Sequence, residues 1–104
     1  KDRVQSWKLD LRVSELVAPD GAQVALSGTD LAVMKCFLEA RGATVSRDTL
    51  KERLGRADSE ESDNLLHATI YRLRRRIERA TPSIVPLQSQ SRIGYVFKAE
   101  LLPA

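Results

Sequence analysis

Residues 64–80, NLLHATIYRLRRRIERA, carry five of the chain's seventeen Lys and Arg side chains. Wound at about 100° per residue, they bring Leu66, Ile70, Leu73 and Ile77 into a stripe about 40° wide, the inward face of an amphipathic helix. On the opposite side fall Asn64, Ala68, Tyr71, Arg72, Arg75 and Arg79. Arg74 shares one flank with His67 and Glu78, and Arg76 shares the other with Leu65 and Thr69. Between Thr69 and Ala80 arginine is used to the exclusion of lysine, although either would serve solubility. The planar guanidinium is the better match to phosphates and guanine edges. On the same face an asparagine amide can pair with adenine and an alanine methyl can touch thymine. The pattern predicts a surface that meets a polyanion, phosphate contacts setting affinity and register while smaller groups read sequence. A solvated basic face, or one that meets an acidic protein, is the rival reading.

Working outward, two capped helices precede this one. In LSGTDLAVMKCFLEARG (26–42), Ser27 is a natural N-cap with Asp30 at the third helical position, Leu26 can staple onto Leu31, and Gly42 supplies the stop. Leu31, Met34 and Leu38 form one apolar stripe, with Val33, Phe37 and Ala40 beside it, which marks the central core helix. VSRDTLKERLG (45–55) repeats the device with Ser46 as cap and Gly55 as terminator. The run RADSEESD (56–63) holds no hydrophobic residue larger than alanine and four carboxylates, so it reads as an exposed loop into the third helix, which starts between Ser59 and Asp63. Before the helices, Trp7, Leu9 and Leu11 alternate with polar residues, and the turn APDGAQ (18–23) separates Leu16 and Val17 from Val24 and Leu26; both patterns read as strands. After Pro82, SIVPLQ (83–88) and IGYVFKAEL (93–101) read as the strands of a hairpin joined by SQSR (89–92), with Pro86 favouring an edge position. At the tip, Arg92 is either an exposed turn residue or a group that enters an adjacent minor groove, where A·T-rich segments attract arginine.

Length and composition bound the rest. A chain of 104 residues builds one domain, 1–104, around a single modest core. Its one cysteine, Cys36, excludes an internal disulfide or a thiolate metal cluster. One histidine, no glycine-rich phosphate loop and no metal-ligand spacing exclude the common enzyme classes, and no cofactor or metal is expected. No apolar run reaches membrane-span length, and the charged start KDRVQSWKLD lacks a signal-peptide core, so a cytoplasmic domain without membrane contact is expected. The net charge of +3 is unevenly placed: up to Ser62 there are ten basic and eleven acidic residues, and after it seven and three. The positive charge therefore gathers at one end of the chain.

Taken together, LSGTDLAVMKCFL (26–38), VSRDTL (45–50), IYRLRRRIE (70–78) and IGYVF (93–97) resemble the signature segments of the carboxy-terminal effector domain of OmpR/PhoB-family response regulators. The resemblance covers nearly the whole chain. It implies an α+β winged helix-turn-helix with an N-terminal antiparallel four-stranded sheet, three helices and a C-terminal β-hairpin wing. The implied function is sequence-specific binding of double-stranded DNA as a bacterial transcription regulator of two-component systems. The recognition helix, about 61–80, would lie in the major groove and the wing, about 88–95, at the minor groove. Carried over by position, Asn64, Leu65, Ala68, Thr69, Tyr71, Arg72 and Arg74 meet DNA, beside the Arg75 and Arg79 that helical winding adds. Arg47 corresponds to a position near the phosphate backbone, where a structural role is equally open. The loop GRADSEES (55–62), with Asp58, Glu60 and Glu61, corresponds to one that touches RNA polymerase.

The sequence also departs from the family pattern. Asn64 stands where arginine is common, and His67 where aspartate is. The wing motif arginine-glycine-x-glycine-tyrosine appears as Ser91-Arg92-Ile93-Gly94-Tyr95, so the basic residue has moved one place and the first glycine is gone. Ser91 and Arg92 are the candidate wing contacts; a one-residue shift turns a side chain to the other face unless the turn is rebuilt, so either the tip has a different geometry and Arg92 substitutes functionally, or the minor-groove contact is weakened. The resemblance further implies a receiver domain elsewhere in a longer protein, an isolated domain that is monomeric, and dimers on tandem half-sites. A winged helix whose basic face binds an acidic protein is the alternative.

Overall fold

The alternation around Trp7 becomes β1 (Ser6–Asp10), which turns its Trp7 and Leu9 inward. It pairs antiparallel with β2 (Glu15–Val17), and β2 with β3 (Gln23–Ala25), in a register that sets Leu9 opposite Leu16 and Leu16 opposite Val24. All three side chains are buried, because only an in-register period of two keeps one face of a sheet apolar. The computed structural model describes residues 6–55, 60–90 and 92–104. Leu11 does not extend β1 as the alternation predicts. The strand stops at Asp10, whose carboxylate accepts the Arg12 N–H at 3.0 Å, and Leu11 and Val13 lie exposed in the turn that follows.

Helix α1 (Gly28–Ala40) starts as its sequence dictates, with the Ser27 hydroxyl accepting from the Asp30 N–H and the Asp30 carboxylate accepting from the Ser27 N–H. Val33, Met34 and Phe37 face the core, and Leu31 and Leu38 lie half-buried beside them. The chain turns left-handed one residue before the expected glycine, at Arg41 (φ 51), and remains so at Gly42 (φ 90). A two-residue strand, β4 (Val45–Ser46), then leads into α2 (Arg47–Arg53), capped by the Ser46 hydroxyl on the Thr49 N–H at 3.1 Å. Helix α3 runs from Glu60 to Ala80.

The winged helix-turn-helix expected from the resemblance is the architecture observed, with one difference in the larger sheet. Its order is β3-β2-β1-β7, and the fourth strand, β7 (Glu100–Pro103), comes from the C-terminal end and runs parallel to β1. IGYVFKAEL is consequently not one strand. β6 (Gly94–Phe97) ends where the Lys98 N–H donates to the Pro86 carbonyl at 2.8 Å, and the chain then changes sheets. β6 pairs with β5 (Leu87–Gln90) as the wing hairpin and with β4 on its other side, which leaves β5 at an edge, as Pro86 predicts. Phe97 stands where the two sheets and α1 meet, edge-on to Trp7 at 5.8 Å between ring centroids and 6.4 Å from Phe37. These three buried rings hold the wing's root and the N-terminal sheet to the same core.

Candidate nucleic-acid interface

Helix α3 is seated by its apolar stripe: Leu66, Ile70, Leu73 and Ile77 are all 4% exposed or less. Polar ties then fix its rotation. Near its start, Asp63 accepts from the buried Lys51 ammonium of α2 at 2.8 Å, and Asp48 of α2 lies 3.8 Å from the same nitrogen. The Lys51 bond holds the Asp63 carboxyl below its ordinary value, with smaller contributions from the Arg47 and His67 charges. Toward its end, Arg76 donates to the Asp30 carboxylate at 3.0 Å and to the Ala25 carbonyl at 2.8 Å. The same Asp30 oxygen serves the capping box of α1, so one buried carboxylate links the start of α1 to the recognition helix. Just past the helix, the Thr81 hydroxyl donates to Asp20 in the β2–β3 turn at 2.6 Å.

What remains outward is the face that helical winding predicts. Asn64, Tyr71, Arg72, Arg74, Arg75 and Arg79 are exposed, Ala68 is half-buried among them, and Leu65 is half-buried at the margin. Tyr71 is 61% exposed. Arg75 donates to the Tyr71 hydroxyl at 2.9 Å, with its guanidinium carbon 5.8 Å from the ring centroid. A buried aromatic would be expected to pack; an exposed one that holds an arginine in place instead offers a preset pair to a ligand. A shallow groove lined by Tyr71, Arg72, Arg75, Arg76 and Arg79 runs along the helix, and a second, lined in part by His67, Arg74, Ser89 and Tyr95, separates it from the wing. His67 Nδ1 and the Tyr95 hydroxyl, 3.3 Å apart, bridge that second groove. Burial pushes the Tyr95 phenol up, so it stays protonated and able to donate.

The wing keeps its register despite the altered motif. Ser89 faces Tyr95 and Gln90 faces Gly94, and the Ile93 N–H closes the tip by donating to the Gln90 carbonyl at 2.8 Å. Arg92 occupies the slot of the family's missing glycine in the left-handed conformation such a glycine adopts, at φ 61. The loss of the glycine therefore leaves a tight turn in place. Gly94 has a separate reason to be glycine: a Cβ there would collide with the Val45 carbonyl of β4. The wing tip also reaches α2, because the Arg47 N–H donates to the Ile93 carbonyl at 3.3 Å. The exposed side chains of Arg47 and Arg92 thus belong to one end of the same surface.

One predicted contact is corrected. Thr69 is 0% exposed and cannot touch a ligand on the outer face. It lies two turns before Arg76 on the flank that turns toward Asp30 and Ala25, so packing on that side covers it. Asp58 and Ser91 lie outside the described residues, and of Glu60 only its place as the first residue of α3 is described. Glu61 is exposed in the first helical turn. The residues that sequence reading passes over are Lys51 and Asp63: a lysine on a short helix gives no sign that it will be buried, and its partner lies twelve residues on, beyond a change of element. Among the described residues no group of His, Cys, Asp and Glu could hold a metal ion, and no helix is long and apolar enough to cross a membrane.

Residues 21–97 match the family described as transcriptional regulatory protein, C terminal. Transcriptional regulatory protein GltR of Pseudomonas aeruginosa is 26% identical over 99 residues, covering 95% of this chain and 41% of GltR. Regulatory protein VirG of Agrobacterium tumefaciens is 33% identical over 96 residues, covering 91% of this chain and 36% of VirG. The chain thus spans about two-fifths of the length of the curated relatives it matches. In fold it is similar to the DNA-binding domain of response regulator AdeR, solved in complex with an intercistronic region, with a TM-score of 0.73 at 13% identity over 94% of this chain and 99% of that one.

Proposed function

The chain belongs to the family of transcriptional regulatory protein C-terminal domains, and from that membership we propose that it binds double-stranded DNA sequence-specifically as the effector domain of a bacterial transcription regulator. A single observation supports the reading most strongly: the apolar stripe of α3 is buried while its opposite face presents Asn64, Tyr71, Arg72, Arg75 and Arg79 to solvent. Such a face fits a major groove, which admits an α-helix and displays the full donor and acceptor code. Arg72, Arg75 and Arg79 supply phosphate and guanine contacts; Asn64, Ala68 and Tyr71 supply sequence discrimination, with Leu65 and Arg74 at the margins. The wing, with Arg92 at its tip and Arg47 beside it, lies against the adjacent minor groove and its phosphates.

Wider assignments follow the same proposal. Glu61 and the acidic run ahead of it are a contact for RNA polymerase. The domain binds tandem half-sites, monomeric by itself and paired on DNA, within a longer cytoplasmic regulator that carries a receiver domain. Selection of preferred duplexes from a random pool, followed by titration of the selected duplex against bulk competitor, tests the central claim. Preference for one sequence at moderate salt is the expected result. Equal affinity for all duplexes would assign the basic face to an acidic protein partner instead.

A further inference from the structure

Three features meet at the tip of the wing. Ile93 is 59% exposed, although it is large, apolar and β-branched. Both of its backbone polar groups are nonetheless occupied, the N–H by the Gln90 carbonyl and the carbonyl by the Arg47 N–H. The preceding residue, Arg92, is held in a backbone conformation that L residues rarely adopt, and the following one, Gly94, is pressed against β4. Ile93 therefore presents hydrocarbon alone, on a backbone fixed from both sides, between two exposed cationic residues, Arg92 in the chain and Arg47 across it.

Building on the proposed DNA-binding function, we infer that Ile93 is an apolar probe of the minor-groove floor that discriminates against G·C pairs beneath the wing. The minor groove is about 6 Å wide, and its floor distinguishes base pairs chiefly by the 2-amino group of guanine. Over A·T pairs the floor carries no protruding amino group, so an isoleucine can seat against it and contact the sugar walls. Over G·C it covers a donor that it cannot satisfy, and the buried unpaired donor is costly. Apolar side chains are established minor-groove wedges in unrelated proteins. Arginines on either side suit phosphate strands that border a groove, and a tip already ordered before binding loses little freedom on contact.

Base analogues test this directly. With the selected duplex and the wing's footprint located by minor-groove protection, A·T pairs under the wing are replaced by G·C or by inosine·C, which lacks the 2-amino group but keeps the major-groove edge of guanine. The expected result is about tenfold weaker binding for G·C and recovery with inosine·C. Ile93→Ser removes the G·C penalty while leaving the thermal midpoint and the salt dependence in place. Arg92→Gly lowers the slope of log affinity against log salt by about one and keeps the penalty. Persistence of the penalty in Ile93→Ser, its loss in Arg92→Gly, or its absence from the unmodified chain overturns the inference while DNA recognition stands. A chain with no preferred duplex overturns both.

Discussion

Arg92 at φ 61 shows how one residue is shaped by two demands. The left-handed region costs an L residue about 1–2 kcal/mol, and glycine would avoid that cost at roughly 0.5–1 kcal/mol of backbone entropy in the unfolded chain. Arg92→Gly is thus expected to stabilise the fold by roughly 0.5–1 kcal/mol, a rise of a few degrees in thermal midpoint, while weakening DNA binding. A lower midpoint in thermal unfolding would show that Arg92 makes a stabilising contact that outweighs its strain. The sequence made the substitution visible, since an arginine stands in a glycine slot of the wing motif, but whether the turn had been rebuilt depended on a register that only pairing of β5 with β6 defines. Thr69 was misjudged for a similar reason. Winding places it on a flank, and whether a flank is open is decided by α1 and β3, whose position relative to α3 no local pattern encodes.

At the scale of elements, the caps were legible because Ser27, Asp30 and Ser46 act on neighbours within three residues. The elements that escaped are β4, too short to show a period of two, and β7, whose partner Ser6 lies opposite Glu100 at the far end of the chain. Helix docking is legible only in part. Arg76 was set apart from the outer arginines by winding, and its bond to Asp30 explains what it does there. The Asp30 side chain is 3% exposed and that of Arg76 44%. Removing the arginine leaves a buried carboxylate short of a charged donor, so Arg76→Ala is expected to destabilise by roughly 2 kcal/mol. Urea unfolding would reveal that loss as a lower midpoint at unchanged slope; an unchanged midpoint would mean that the pair is energetically silent. Lys51 and Asp63 tie α2 to α3, and that tie should respond to acid. Asp63 is held below its ordinary value of 3.8, so the folded state binds its proton less readily than the unfolded state does. Its stabilising contribution is complete above that ordinary value and disappears as pH falls through the lowered one. The difference in thermal midpoint between the native chain and Asp63→Asn should therefore shrink below pH 3.8. A constant difference across the acid range would deny the pair that role.

For the molecule as a whole, the count of basic residues overstates the charge offered to a ligand, because not every cation is available. Arg53 donates to Glu39 at 2.7 Å, Lys51 to Asp63, and Arg76 to Asp30. Arg74 lines the groove between α3 and the wing. On the outer face of α3 and at the wing tip, Arg72, Arg75, Arg79 and Arg92 are exposed, and these are the arginines proposed to neutralise phosphates. Each phosphate contact releases counterions and contributes about −0.9 to the slope of log affinity against log salt, so a domain using these four should give a slope between about −3 and −4. The assignment is sharper than the total, because an arginine that only steadies the fold leaves the slope unchanged when it is replaced. Arg79→Ala should flatten the slope by about one, and Arg76→Gln should not alter it, even though the second variant is the less stable of the two. Titrations of one duplex over a range of salt, at a temperature where both variants are folded, separate these outcomes. If Arg76→Gln flattens the slope as much as Arg79→Ala does, then Arg76 leaves Asp30 on binding, and the capping of α1 is coupled to the arrival of DNA.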